Sequence, residues 1–394
     1  MKESLFNYRF EYENQKYIFN TNNNGLIQIN NDIFTEEERE YLRVNRFWVD
    51  DNEDEIALLE REINHNIQKR QKELELTIAL TNYCNFSCVY CYQNKNEKLM
   101  TTEVANMIIE KIDRILNDNK FEGINIHYFG GEPLLNIPVL IYLDENIKKI
   151  TDKIGIVYKA FLTTNGSMLS KELLQKVKFS SIQLTFDGLE KTHDRLRVSD
   201  HFHFKEEIEL IENIMNFSQA KVLLRTNICK ENKDEIIALH KYIFEKFGNE
   251  RIEINPNRTI KYHQDDSFEM LSVQEYAEVA YQIKLLWSEQ KGKFELPVPR
   301  STPCKFPYGN AYAISPEGYC TFCSGSMDQE KKIFFDVDIE NKKMFSVRKE
   351  CKKYNILPLC LGGCIIQYNL RAGACTYEKY ELKNILISYI KHIS

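Results

Sequence analysis

From about residue 75 to residue 256, short runs rich in β-branched and aromatic residues alternate with amphipathic segments. Segments such as Val104–Leu116 and Asp234–Phe247 repeat apolar residues at helical spacing, so they are predicted as helices between strands. Six strand-then-helix units predict a parallel sheet with right-handed crossovers, covered by helices on its outer face. The candidate strands are Leu74–Leu80, Gly123–Phe129, Tyr158–Thr164, Ser181–Phe186, Lys221–Ile228 and Arg251–Asn255.

Three closely spaced cysteines follow the first of these strands. They form the pattern Cys84-x3-Cys88-x2-Cys91, and Tyr90 fills the position before the last cysteine. This spacing supplies three thiolates to a four-iron cluster and leaves the fourth iron without a protein ligand, free to bind and activate another molecule. A zinc site or buried free thiols are the alternatives.

Length, composition and charge narrow the class of protein. With 394 residues, 43% hydrophobic and 28% charged, the chain is a globular protein of two or three domains. Its net charge of −6 and lack of Lys/Arg clusters argue against a nucleic-acid partner. The N-terminus has no signal-peptide core and there is no run of 18 apolar residues, so we expect a cytoplasmic protein without a membrane contact. In a reducing cytoplasm, eleven cysteines read as metal ligands rather than disulfides.

The loop Cys84–Cys91 resembles the signature loop of the radical S-adenosylmethionine (SAM) enzymes. That resemblance implies an α/β fold with a partial (β/α)6 TIM-type barrel and a catalytic four-iron cluster on the loop's three cysteines. It also implies that SAM chelates the open iron and is cleaved to a 5′-deoxyadenosyl radical, which takes a hydrogen atom from the substrate. The electron for this cleavage would come from a donor such as flavodoxin or ferredoxin.

Polar and glycine-rich motifs follow the next strands, at the sheet edge where such barrels place their active sites. Gly130-Gly131-Glu132-Pro133 resembles the family's GGEP motif, whose backbone contacts the SAM amino group. Two glycines let a backbone approach a ligand closely. An ordinary strand-to-helix turn, with Pro133 near a helix start, is the alternative.

Three further strand ends carry candidate SAM contacts by the same resemblance. Thr185-Phe186-Asp187-Gly188 and the run His193-Asp194-Arg195-Leu196-Arg197 resemble the S-x-D-G and H-D-x-x-R motifs of peptide-modifying members, with threonine keeping the serine hydroxyl. Arg225 and Asn227 lie two residues apart on one strand, so they point to the same side, as a carboxylate-binding pair requires. Each could instead be a satisfied turn or strand-end group. The candidate residues at these ends are Thr164, Asn165, Thr185, Asp187, Arg225 and Asn227.

The C-terminal segment is rich in cysteine and resembles the SPASM extension, which carries one or two auxiliary four-iron clusters. By the family's ligand scheme, an inner cluster takes Cys304, Cys323 and Cys364, and an outer cluster takes Cys351, Cys360 and Cys375. The inner cluster, with three ligands, has an open iron where a substrate thiolate would bind.

Tyr354 stands where the SPASM pattern has another cysteine. Tyr354, Cys320 or solvent would complete the outer cluster, or this cluster is absent. Cys320-x2-Cys323 alone also looks like half a zinc ribbon, which leaves a zinc-only domain open. Cys229 is expected to be a buried small hydrophobe.

These observations divide the chain into a small N-terminal domain (1–72), a radical SAM partial barrel (73–290) and a SPASM-type domain (291–394). The N-terminal part has strand patterns at Tyr8–Glu13, Lys16–Asn20 and Gly25–Ile29, then helical patterns at Thr35–Val44 and Asp54–Lys69. It resembles leader-binding domains of ribosomal-peptide maturases, and a plain structural cap is the alternative.

The predicted function is therefore maturation of a ribosomally made peptide that carries a leader sequence. The expected product is an intramolecular crosslink, a thioether first and a carbon–carbon or carbon–oxygen link as the nearest variant. An anaerobic sulfatase-maturating enzyme, which forms formylglycine, is the second enzyme class. Against it, Ser324 stands where those enzymes carry an acidic base candidate. A non-catalytic iron–sulfur electron carrier or regulator is the alternative of another class.

Overall fold

A computed structural model of the chain describes residues 1–29, 34–93, 96–248, 251–261, 267–321, 323–326, 332–333, 344–364 and 375–393. The chain forms two compact units, one of Met1–Lys69, Ser272–Cys304 and Lys343–Ser394, the other of Arg70–Leu271 and Lys305–Lys342. None of the described helices is both long enough and apolar enough to cross a membrane. The division into three domains stays a prediction.

The described strands and helices are numbered here in chain order. The strands are β1 Lys2–Glu3, β2 Asn7–Tyr12, β3 Gln15–Asn20, β4 Gly25–Ile29, β5 Trp48–Val49, β6 Glu73–Ala79, β7 Gly123–Phe129, β8 Val157–Thr163, β9 Phe179–Thr185, β10 Lys221–Ile228, β11 Ile252–Arg258, β12 Ala311–Ile314, β13 Tyr319–Thr321 and β14 Lys332–Ile333. The α-helices are α1 Glu36–Val44, α2 Glu55–Arg70, α3 Thr102–Asp118, α4 Ile137–Ile154, α5 Lys171–Lys176, α6 Glu190–Leu196, α7 Phe204–Phe217, α8 Ile236–Phe247, α9 Val273–Lys291, α10 Lys305–Tyr308, α11 Leu357–Cys360 and α12 Glu378–Ile393. Short 3-10 turns lie at Pro133–Asn136, Ser324–Ser326 and Lys349–Cys351.

The second unit is built on one sheet with the order β11-β10-β9-β8-β7-β6-β12-β13-β14 among the described strands. Strands β6 to β11 are all parallel and neighbour one another in chain order. The six predicted strands are therefore confirmed, with ends within three residues of those predicted. Strand β12 extends the sheet parallel to β6, and β13 and β14 follow antiparallel.

Helix α3 shows why the crossovers form where they do. The Thr101 side chain accepts a hydrogen bond from the Val104 backbone N–H, which caps the helix start. Ile108, Ile112 and Ile115 then repeat at helical spacing and are buried. Each contributes roughly 2 kcal/mol through removal of its apolar surface from water.

The two faces of the parallel sheet differ in polarity. On β7, Ile124, Ile126 and Tyr128 alternate on one face and are fully buried. Asn125 and His127 alternate on the other face. On that face His127 Nε2 lies 2.7 Å from the Thr163 hydroxyl, and the Asn255 amide donates to Gln183 Oε1 at 3.3 Å. One face of the sheet is thus apolar core and the other is lined by polar groups.

In the first unit, the N-terminal strands form an antiparallel sheet in the order β2-β3-β4. The turn between β2 and β3 consists of Glu13 and Asn14, both with positive φ (48° and 61°), as a two-residue hairpin requires. Phe10 and Phe19 of this sheet share a buried apolar cluster with Leu386 of helix α12. The N-terminal sheet and the C-terminal helix therefore belong to one core.

Candidate active site

Backbone hydrogen bonds hold in place the loop that carries Cys84, Cys88 and Cys91. The Ser87 N–H donates to the Val198 carbonyl at 2.8 Å, and the Val89 N–H donates to the Leu196 carbonyl at 3.0 Å. These acceptors lie at and beyond the end of helix α6. All three cysteines of the loop 84–91 are partly exposed. The loop is thus held in place with its three cysteines close together in sequence and partly exposed.

The two glycines of the second strand end pack directly against the segment that leads into this loop. The Gly131 N–H donates to the Thr81 carbonyl, and the Glu132 N–H donates to the Tyr83 carbonyl, both at 2.8 Å. Gly130 has a φ of +141°, and a Cβ at Gly131 would lie 2.1 Å from the Tyr83 carbonyl oxygen. In this structure, the close approach that glycine permits is therefore made to the chain's own backbone.

Glu132 ties the second strand end to the third. Its fully buried carboxylate accepts hydrogen bonds from the Thr164 hydroxyl and the Asn165 N–H, both at 2.6 Å, and from the Leu134 N–H at 3.0 Å. Burial raises the pKa of Glu132 to about 7, and the three donors oppose that rise. The carboxylate is saturated by internal donors, so it acts as a positioning residue. Pro133 begins a buried 3-10 turn before helix α4.

Asn165 connects the third strand end to the first cysteine. Its side-chain amide donates to Asn85 Oδ1 at 2.8 Å and lies 3.8 Å from Cys84 Sγ. The Phe86 N–H donates to the same sulfur at 3.4 Å, and the Ser167 N–H donates to Asn165 Oδ1 at 3.0 Å. Donors aimed at a cysteine sulfur stabilise its thiolate form, which is the form that binds iron.

Asp187 joins the fourth and fifth strand ends to the same cysteine loop. The Tyr90 hydroxyl donates to its Oδ2, and the Asn227 N–H donates to its Oδ1 at 2.7 Å. The Asn232 side chain donates to the backbone carbonyls of both Asp187 and Asn227 at 2.8 Å. Burial raises the pKa of Asp187, although Arg197 and the hydrogen bonds from Tyr90 and Asn227 oppose it.

Arg225 and Asn227 lie on the same side of β10, because Arg225 Nε donates to Asn227 Oδ1 at 2.8 Å. Thr185, buried at the end of β9, pairs in register with Arg225. A guanidinium beside an amide offers convergent donors to a carboxylate.

Sequence reasoning singled out the run from His193 to Arg197 but missed Glu207, the buried carboxylate beside these two side chains. Glu207 of helix α7 is fully buried, with Oε2 3.0 Å from His193 Nε2 and Oε1 3.8 Å from Arg197 Nη2. The Arg197 guanidinium lies 5.4 Å from the centre of the Phe86 ring. Burial raises the pKa of the Cys88 thiol to about 12, and the charge of Arg197 opposes that rise. Arg197 therefore favours the thiolate of a loop cysteine.

A signal for Glu207 was present in the sequence. It falls on the apolar stripe of helix α7, three residues after Phe204 and four before Ile211, which are both buried. A carboxylate on such a stripe needs a buried partner.

Residues 78–243 match the radical SAM superfamily. This segment is a radical SAM domain. The radical SAM fold implies a four-iron cluster and SAM. The loop fits this pair, because it offers three cysteines that are partly exposed, and Nε and Nη2 of the buried Arg197 have no hydrogen-bond partner among the described residues.

Several known proteins are similar to this chain. The radical SAM cyclopropyl synthase TigE of Paramaledivibacter caminithermalis is 26% identical over 220 residues, which are 51% of this chain and 42% of TigE. This chain spans half or less of the length of the first curated relatives that it matches (39%, 42% and 50%).

Solved structures share the fold over most of the chain. SuiB of Streptococcus suis, bound to its precursor peptide SuiA, matches with a TM-score of 0.56 at 16% identity, covering 93% of this chain and 96% of SuiB. Native anSMEcpe, with bound AdoMet and the Cp18Cys peptide, matches with a TM-score of 0.63 at 18% identity, covering 82% of this chain and 98% of that one. The expected α/β fold with a TIM-type partial barrel is thereby confirmed.

The C-terminal cysteines fall into both units. Cys351, Cys360 and Cys375 of the first unit line one pocket, together with Tyr354. Exposed Cys304 and Cys364 also belong to the first unit, whereas Cys323 belongs to the second. The inner cluster stays a prediction.

The described residues contain no group of three or more His, Cys, Asp or Glu side chains arranged around a single metal ion. Ligands of a single ion all bond to one atom, whereas the thiolates of a four-iron cluster bond to different irons. Cys229 is fully buried with Leu196 and Phe268, as expected for a small hydrophobe.

Proposed function

We propose that this protein is a radical SAM enzyme that installs an intramolecular crosslink in a ribosomally synthesised peptide. The observation that carries the proposal is the hydrogen-bond network from the cysteine loop to four successive strand ends, through Glu132, Asn165 and Asp187. An iron–sulfur carrier needs only a cluster, because it binds no second cofactor. The polar groups at these four strand ends support a site that binds a second cofactor beside the cluster.

In this proposal the chain's residues hold two cofactors and keep them aligned. Cys84, Cys88 and Cys91 ligate the cluster, and Arg225 with Asn227 meets the SAM carboxylate. When bound, the cluster reduces SAM, whose cleavage supplies a radical that takes a hydrogen atom from a substrate carbon. The remaining proposed SAM contacts are Tyr90, Gly130, Gly131, Pro133, Thr164, Asn165, Thr185 and Asp187.

Formation of the crosslink removes two hydrogens from the peptide. The first leaves the substrate carbon as a hydrogen atom. This carbon then bonds to a second side chain, and the second hydrogen leaves as a proton and an electron. An auxiliary cluster would accept that electron, while flavodoxin or ferredoxin supplies the one that cleaves SAM. A thioether suits an inner cluster with an open iron, which would bind the substrate thiolate. The cyclopropyl synthase among the relatives supports a carbon–carbon bond as the variant.

A peptide substrate is supported by the fold neighbours SuiB and anSMEcpe, whose structures contain bound peptides. The polar face of the sheet supports it as well, since His127, Thr163, Gln183 and Asn255 offer donors and acceptors to a peptide backbone. Binding of the leader sequence by the N-terminal sheet is part of the same proposal.

The test is anaerobic incubation of the reconstituted protein with SAM, a reductant and the short peptides encoded beside its gene. We expect 5′-deoxyadenosine and a peptide lighter by two hydrogens, with a fragment pattern interrupted between the linked residues. Cys88→Ala should abolish both products, whereas Cys229→Ala, which changes a buried cysteine outside the loop, should keep them. An aldehyde-reactive product would instead indicate formylglycine, and no SAM cleavage by the wild type would leave the electron-carrier class.

A further inference from the structure

One pocket of the first unit gathers three of the cysteines that the active site does not use. It is lined by Cys351, Cys360 and Cys375, together with Tyr354 and Thr376. Cys360 is buried, and the other two cysteines are partly exposed. The three cysteines lie within 25 residues of one another, and the fold brings them to one cavity.

The backbone around Cys360 is shaped to present its sulfur. Leu361, Gly362 and Gly363 all have positive φ, of 47°, 83° and 70°. The Gly362 N–H donates to Cys360 Sγ at 3.4 Å. The Arg348 guanidinium donates to the Gly362 carbonyl, which fixes this turn from the other side. Backbone donors to the sulfur are a recurrent feature of iron–sulfur ligands.

Tyr354 reaches the same pocket through a tight turn. Its N–H donates to the Cys351 carbonyl at 3.1 Å, and its carbonyl accepts from the Leu357 N–H at 3.2 Å. The ammonium groups of Lys353 and Lys379 lie 5.5 and 5.2 Å from the centre of its ring. Two positive charges beside the ring offset the negative charge that a phenolate ligand carries.

A buried hydroxyl also lines the pocket. Thr376 Oγ1 is buried, and Thr376 lines the cavity together with the three cysteines and Tyr354. Its O–H is a donor beside the cysteines, and hydrogen bonds to the sulfurs are one way in which proteins tune an iron–sulfur cluster.

We propose that Cys351, Cys360, Cys375 and the phenolate of Tyr354 are the four protein ligands of an auxiliary iron–sulfur cluster. The inference rests on the proposed radical SAM function, and it assigns to Tyr354 the place of a missing cysteine. Four protein ligands close the coordination shell, so this cluster relays electrons and does not bind substrate. A hard oxygen ligand also distinguishes one iron from the three held by soft thiolates.

The experiment uses the full chain with Cys84, Cys88 and Cys91 changed to alanine, so that the SAM cluster does not contribute. In this background, Tyr354→Phe and Tyr354→Cys are compared with Tyr380→Phe. Tyr380 is a matched control, because Lys379 also lies over its ring, at 5.8 Å, while it does not line the pocket. Circular dichroism checks that each variant is folded.

The readouts are iron and sulfide content and resonance Raman spectra excited in the phenolate-to-iron charge-transfer band. We expect tyrosinate ring modes in the background protein and in Tyr380→Phe, and their loss in Tyr354→Phe and Tyr354→Cys. Tyr354→Cys should keep its iron, whereas Cys360→Ala should lose about four irons. In Tyr354→Phe, added imidazole should shift the electron paramagnetic resonance signal of the reduced cluster, because one iron is then open.

Two results would overturn the inference. Iron that depends on Cys360 without tyrosinate modes would mean a three-cysteine cluster that Tyr354 does not ligate. Iron unaffected by Cys360→Ala, or zinc in its place, would mean that the pocket holds no such cluster. SAM cleavage measured separately on the wild-type protein keeps these outcomes distinct from a failure of the proposed function.

Discussion

The backbone N–H of Asn165 donates a 2.6 Å hydrogen bond to Oε2 of Glu132. These residues end neighbouring strands, and Asn165 in turn lies against Cys84. The carboxylate of the second strand end thus positions the group that touches a proposed cluster ligand. Removal of the Glu132 carboxylate should therefore change the cluster site, although this carboxylate is itself saturated by donors within the protein.

Replacement of Glu132 tests this positioning role. Glu132→Gln puts an NH2 group where an acceptor stood, so we expect a loss of roughly 2 kcal/mol in the free energy of unfolding, and Glu132→Ala should cost more. Urea unfolding monitored by circular dichroism measures both. Glu122→Gln is the control, because its exposed side chain pairs with Lys72 at the surface, and should cost less than about 0.5 kcal/mol. Equal effects of the two glutamine variants would contradict the role.

Gly131→Ala should displace the cysteine loop although it adds only a methyl group. Its Cβ would lie 2.1 Å from the Tyr83 carbonyl oxygen, so the segment 130–132 must move away from the loop. We expect reduced iron retention and loss of SAM cleavage. Gly155→Ala is the matched control, since Gly155 has a φ of +83° and no atom lies within 4 Å of the place that an added Cβ would take. It should cost about 1 kcal/mol of stability through backbone strain and leave the iron content unchanged.

The hydrogen bond between Tyr90 and Asp187 should appear as a coupling energy. A double-mutant cycle of Tyr90→Phe and Asp187→Asn is expected to give a coupling of about 1–2 kcal/mol in the free energy of unfolding, since the bond is buried and charge-assisted. Tyr142→Phe removes a surface hydroxyl that donates to Asn106 and should change stability little. Additive effects of Tyr90→Phe and Asp187→Asn would show that the hydroxyl and the carboxylate do not interact.

Because of His240, the free energy of unfolding should decrease as the solution becomes mildly acidic. Burial lowers its pKa to about 3, whereas an unfolded histidine titrates near 6.5, so the unfolded state binds the proton first as the pH drops. The contribution is fully present above pH 6.5 and is lost as the pH falls toward 3, by about 2 kcal/mol between pH 7 and pH 5. His240→Gln keeps a partner for the Thr226 hydroxyl and should flatten this slope in urea unfolding. A slope unchanged by the substitution would refute the assignment.

Much of the architecture is local in origin and was predictable. The runs Gly123–Phe129 and Lys221–Ile228 are strands with the expected bounds, because β-rich runs between amphipathic helices have one stable arrangement as a parallel sheet. Parallel strands bring their carboxyl ends to one edge, so motifs that follow strands had to meet there. The same alternation places Arg225 and Asn227 on one side of their strand.

The sequence by itself therefore determined the strands, the helices and the edge at which the cysteine loop and the polar motifs gather. Only the tertiary structure decided which groups bond across that edge. Glu132 holding Asn165, the Tyr90 hydroxyl bonding to Asp187, and the burial of Glu207 beside Arg197 depend on how the loops and helices pack. The family's ligand scheme grouped Cys351, Cys360 and Cys375, and the structure adds that Tyr354 lines the same pocket. Such contacts arise when loops pack and burial forces polar groups to find partners, and neither spacing nor periodicity encodes which partner is within reach.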